Sequence, residues 1–143
     1  MKITYTQAQS ALNHVQKKQT PDGRQLIPDL LKAKGIGGWC YHLKKDLMEA
    51  FSAELEQHKD LLEEASNILP KDKQNINKED IDNLDIDDES KQRLHDIIDT
   101  IDHIRQTEKD IELTKGKIDE KEIDEHINGL MFEDLAFAIN DSQ

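Results

Sequence analysis

Residues 39–70 read WCYHLKKDLMEAFSAELEQHKDLLEEASNILP. Within this stretch Cys40, Leu43, Leu47, Phe51, Leu55, His58, Leu62, Ala65 and Leu69 recur at alternating steps of three and four. Such steps keep returning to one side of a helix, so the stretch predicts a long helix over 39–69 with a single apolar seam. Pro70 ends the pattern, because proline has no N–H to give a helix interior. The seam needs a cover, and the chain carries a matching stripe: Leu94, Ile97, Ile98, Ile101, Ile104, Glu108 and Ile111. This predicts a second long helix over 90–115, stopped by Gly116. The lone acid in its seam, Glu108, marks where the stripe ends or becomes exposed. The polar, acid-rich connection 70–89 is long enough to reverse the chain, so the two helices are expected to pack antiparallel.

Outward from this pair, shorter helices are expected. Thr4-Tyr5-Thr6-Gln7 fits a capping box, and Ala8, Ala11, Leu12 and Val15 follow on one helical face. Thr20-Pro21-Asp22-Gly23 reads as a turn, since proline presets φ and glycine supplies the permissive end. A short helix begins near Pro28 and stops at the glycines 35, 37 and 38. Within 70–89 a helical turn over Lys78–Leu84 is capped by Asn77. Asp119-x-x-Glu122 caps another helix reaching Ile127, and Leu130 to Ile139 forms a last, strongly apolar one. No segment reads as a convincing strand. The expected fold is an all-α helical bundle in one domain, 1–143: N-terminal helices and Gly-rich loop (1–38), long helix (39–69), acidic connection (70–89), long helix (90–115) and C-terminal helices (117–140).

Composition narrows the function classes. The 143 residues hold 31 Asp and Glu against 19 Lys and Arg, for a net charge of −12. Residues 1–50 carry eight basic and four acidic side chains; residues 51–143 carry eleven and twenty-seven. Phosphates would meet a negative field over most of such a surface, which disfavours nucleic acid as a partner. A basic or mixed protein surface would instead be attracted, and would associate faster. No apolar run reaches the ~20 residues that span a bilayer, and no signal-peptide core opens the chain. The single cysteine, Cys40, excludes an internal disulfide and a multi-thiolate metal site.

Four groups of residues hold candidate chemistry. Gly35-Ile36-Gly37-Gly38-Trp39-Cys40-Tyr41-His42 places a thiol near a helix N-terminus, where the dipole favours thiolate and small residues leave room for a substrate. The segment resembles the nucleophile segment of papain-like cysteine proteases, including those that pathogenic bacteria inject into host cells. That resemblance, about a dozen residues long, implies Cys40 as nucleophile, with a His and an Asp or Asn presented by a sheet. The bland reading of Cys40 is a small buried hydrophobe. His95, Asp99 and His103 share one helical face at metal-ligand spacing, although chance alignment is common in so acidic a chain. Asp85-Ile86-Asp87-Asp88-Glu89-Ser90 begins like a calcium loop, but its sixth and twelfth positions are Ser90 and Asp96 instead of Gly and Glu. It reads as a solvated acidic loop, with Asp85, Asp87 and Asp88 as partner-binding candidates. Met48, Met131, Phe132 and Phe137, with Trp39, are the apolar candidates for docking another chain, core packing being the bland reading, and self-association through the C-terminal helix stays open.

No catalytic constellation, metal or cofactor is assembled by this pattern. The expected function is a non-enzymatic, acidic helical module that binds another protein, in the context of a bacterial or phage inhibitor or the helical part of a secreted effector. The enzyme alternative is a fragment of a papain-like cysteine hydrolase built on Cys40. Either fits a reducing cytoplasm, or export into a host cytosol without a signal peptide.

Overall fold

The computed structural model describes residues 1–16, 18–32, 35–70, 78–123 and 133–140. The chain is mostly helical, with short strands added. Its contacts gather into two compact units, one formed by Met1–Phe51 with Glu108–Gln143 and the other by Ser52–Thr107.

The first unit opens with strand β1 (Lys2–Thr4) and helix α1 (Tyr5–Val15). The expected capping box is present: the Gln7 amide donates to Thr4 Oγ1 at 3.2 Å, and the Thr4 amide donates to Gln7 Oε1 at 2.8 Å. Tyr5, Ala8, Ala11, Leu12 and Val15 are the buried face of α1. The turn at Thr20–Gly23 also forms, closed by a hydrogen bond from the Gly23 amide to the Thr20 carbonyl at 3.0 Å. Its flanks are extended: β2 (Lys18–Gln19) pairs antiparallel with β3 (Gln25–Leu26). Gly23 sits at φ 86, the left-handed geometry that glycine adopts without steric cost.

The segment from Pro28 becomes a 3₁₀ turn, Asp29–Lys32, with Leu30 fully buried. Helix α2 (Gly37–Ala50) buries Trp39, Cys40, Leu43 and Leu47 and packs against α1. Phe51, also fully buried, meets the Tyr5 ring edge-on at 5.9 Å.

Absence of strands is the expectation that fails. Beyond the hairpin, β4 (Glu108–Asp110) pairs antiparallel with β1, and β5 (Ile118–Asp119) pairs parallel with β6 (Ile139–Asn140). These strands are two or three residues long, too short to show a period of two. Pairing with β1 also explains why the second long helix stops early. Glu108 and Ile111, members of its stripe, are not helical: Glu108 belongs to β4, and the Ile111 amide donates to the Met1 carbonyl at 2.8 Å. Gly116 therefore ends no helix; at φ 64 it closes a turn, its amide donating to the Leu113 carbonyl.

Helix α6 (Glu120–Ile123) starts where expected, and the Asp119 amide donates to Glu122 Oε2 at 3.3 Å. Its extension to Ile127 lies outside the described residues. Residues 133–135 are helical and lead into a 3₁₀ turn, Ala136–Ala138, and then β6, so the last helix does not continue to Ile139.

The second unit begins at the break in the first long helix. Phe51, at φ −110 and ψ 23, separates α2 from α3 (Ser52–Ile68). Past the break the buried series is His58 and Leu61, with Ala65 and Ile68 half-buried, while Leu62 is exposed. The seam thus keeps the expected His58, Ala65 and Leu69 but takes Leu61 in place of Leu62. A short α4 (Lys78–Ile81) continues in turn hydrogen bonds to Leu84; its expected cap, Asn77, lies outside the described residues. Helix α5 (Asp88–Arg105) buries Leu94, Ile97, Ile101 and Ile104. Ile81, Leu84 and Leu94 form a cluster on which Ala65, Ile68, Leu69, Ile86 and Ile98 pack. Arg93, near the start of α5, forks onto Glu64, near the end of α3. At the opposite ends of the two helices, the Arg105 charge acts on His58.

Candidate functional site

Cys40 lies in the first turns of α2, as its sequence context predicts, but beyond the opening position of the helix. Gly37 and Gly38 are themselves helical, and the Cys40 amide already donates to the Ile36 carbonyl at 2.9 Å. The thiol is buried, with 1% of the residue exposed. Burial pushes it up to about 11, against a small downward pull from the backbone hydrogen bond. The dipole argument for a thiolate therefore loses to desolvation, which penalises the charged form. His42 is half-buried and meets the Tyr41 ring edge-on.

Trp39 is buried with its indole body in the first unit, and its Nε1 donates to the Gly116 carbonyl at 3.0 Å. It thereby fastens α2 to the turn after β4. About two helical turns further on, Asp46 accepts from both the amide and the hydroxyl of Thr114, at 2.8 and 2.7 Å. Gly35 holds φ 84, so the Gly-rich segment does contain a left-handed glycine. A Cβ at Gly37 or Gly38 would meet nothing within 4 Å, so neither glycine is required by close packing.

The acidic candidates sit in the second unit. Asp85 and Asp88 are exposed. Asp87 is the N-cap of α5, accepting from the Ser90 amide at 2.9 Å, and its bonds with Ser90 hold its carboxyl below the usual range. The cap follows a simple sequence signal, Asp87 three residues before Ser90, that a helix start at Ser90 overlooks. His95 contacts Asp82 at 3.2 Å and Asp99 pairs with Lys78 at 2.5 Å, while His103 is exposed. Among the described residues, no three His, Cys, Asp or Glu side chains gather as a metal-binding group.

Of the apolar docking candidates, Phe137 is half-buried in the first unit, beside the fully buried Ala138 and near Leu135. Met131 and Phe132 lie outside the described residues. Asp134, in the same segment, meets His14 of α1 at 2.7 Å. That pairing, 120 positions apart in the chain, had no sequence signal. Among the described helices, none is long and apolar enough to cross a membrane. No protein-family model matches this chain, and no curated protein or solved structure does so either.

Proposed function

We propose that the chain is a non-enzymatic helical module that binds a basic or mixed protein surface through its acidic side. The observation that carries this reading is the exposure of the acids around the start of α5, with Asp85 and Asp88 in water and Asp87 engaged as a cap. An attractive surface of this kind accelerates encounter with a cationic partner. The opposed contacts of α3 and α5 support an antiparallel helical hairpin as its scaffold. The burial of Cys40 favours a packing role for the thiol over that of a hydrolase nucleophile, since attack needs an accessible thiolate. A reducing compartment suits a chain with one cysteine, as an inhibitor or the helical part of an effector.

The test is capture of a partner by the intact chain, repeated with Asp85→Asn and Asp88→Asn together. Weaker retention by the double variant, with an unchanged melting curve, is the expected result. Equal retention by both forms would place the contact elsewhere, and failure to retain any protein would remove the reading.

A further inference from the structure

Helix α2 carries a second series that its own unit leaves in water. Ile36, Cys40, Leu43 and Leu47 are buried, at steps of four, three and four. One residue on, and so about 100° round the helix, Gly37, Tyr41, Lys44 and Met48 repeat those steps. Tyr41 is 61% exposed and Met48 40%, Gly37 is exposed as well, and Lys44 is half-buried between the two large side chains. The Tyr41 ring is steadied edge-on by His42. Glycine costs conformational entropy in a helix relative to alanine, yet a Cβ at Gly37 would meet nothing within 4 Å. Packing inside the chain gives no reason for that glycine; a backbone approaching closely from outside does.

The charges nearest this row on α2 are both cationic. Lys44 stands in the row, and the exposed Lys45 stands beside it. The two acids of the helix face elsewhere. Glu49 lies beyond Lys45, 4.0 Å from its ammonium, and Asp46 lies on the opposite flank, bonded to Thr114. We propose that this face of α2 docks an acidic amphipathic helix of another protein, its apolar residues on Tyr41 and Met48 and its carboxylates on Lys44 and Lys45. Steps of i, i+4 and i+7 are how anchors are presented between helices. Tyrosine is a favoured interface anchor, and methionine adapts to what it meets. The sign of the lysines selects the occupant, since a cationic helix, or the same row of a second copy, would set like charge against them. The net charge of −12 acts from further away and is screened over about 8 Å in physiological salt, so the adjacent lysines decide. This face is distinct from the acids around the start of α5, and the inference goes beyond the reading given above for those acids.

The probe is a synthetic helix of leucine and glutamate with its leucines on one face, titrated at physiological salt into the intact, isotope-labelled chain. The same helix with lysine for glutamate is the control. The glutamate helix should bind saturably and shift amides centred on residues 37–48. Tyr41→Ala should lower its affinity about tenfold, the loss expected for one anchor kept from burial. Met48→Ala should weaken it in the same direction. Lys44→Glu with Lys45→Glu keeps both apolar anchors and should lower affinity by tenfold or more while admitting the lysine helix. These side chains lie at the surface, so each variant should melt with the parent. Equal affinity in Tyr41→Ala or in the double lysine variant, shifts centred elsewhere, or equal binding of the lysine helix by the parent would overturn the proposal. So would a dimer of the chain alone that Tyr41→Ala dissolves, which would give this face to a second copy.

Discussion

Cys40 shows how burial decides the chemistry of a side chain whose sequence context points elsewhere. Glycines before it and a helix after it suggest an activated thiol, yet the folded thiol is raised to about 11. Iodoacetamide at mildly alkaline pH should therefore label the folded chain far more slowly than the urea-unfolded one; similar rates would contradict the burial. Trp39 combines packing with a polar tie, so Trp39→Phe should keep the fold and lose ~1 kcal/mol with the bond to Gly116, measurable as a lower denaturation midpoint. His58 supplies a pH dependence. Desolvation, reinforced by Arg105, lowers its pKa from 6.5, so the folded state holds it neutral while the unfolded chain takes up a proton near that pH. The unfolded state then binds more protons, and the stability His58 allows is present above pH 6.5 and lost as pH falls below it toward the folded value. Urea titrations at pH 7.5 and 5.5 should show this loss, and His58→Gln should reduce it.

Elements with a strong period or a cap were legible in the residues themselves. The Thr4–Gln7 box and the Ala8 to Val15 stripe each specify α1, and both are found. Thr4→Ala should cost about 1 kcal/mol, read as a lower melting temperature. The seams at Leu47 and Ile101 are buried in α2 and α5, so Leu47→Asp or Ile101→Asp should unfold its unit, an unpaired buried charge costing several kcal/mol against a total of ~5–15. A wild-type melt for either would refute the assignment. Other features were hidden for physical reasons. A two-residue strand such as Ile139–Asn140 is fixed by its distant partner, and nothing local announces it. Leu61 and Leu62 are adjacent leucines, and which one faces inward depends on the break at Phe51. The strand at Glu108 depends on Lys2–Thr4, more than a hundred residues away.

Over the whole molecule, charge is the property most plainly written in the sequence and least altered by folding. The excess of acids beyond residue 50 follows from composition alone, and Asp85 and Asp88 are in water as expected. The apolar candidates fare differently: Trp39 is taken up by packing, Phe137 is half-buried and Met48 is exposed; Leu62, assigned to the seam by its period, is exposed as well. The protein-binding reading rests on an acidic surface that attracts a protein partner. Its most direct test is the rate of association between the intact chain and a captured partner as ionic strength rises. The rate should fall steeply with salt while dissociation changes less, because screening weakens long-range attraction more than short-range contact. An association rate indifferent to salt would contradict the claim.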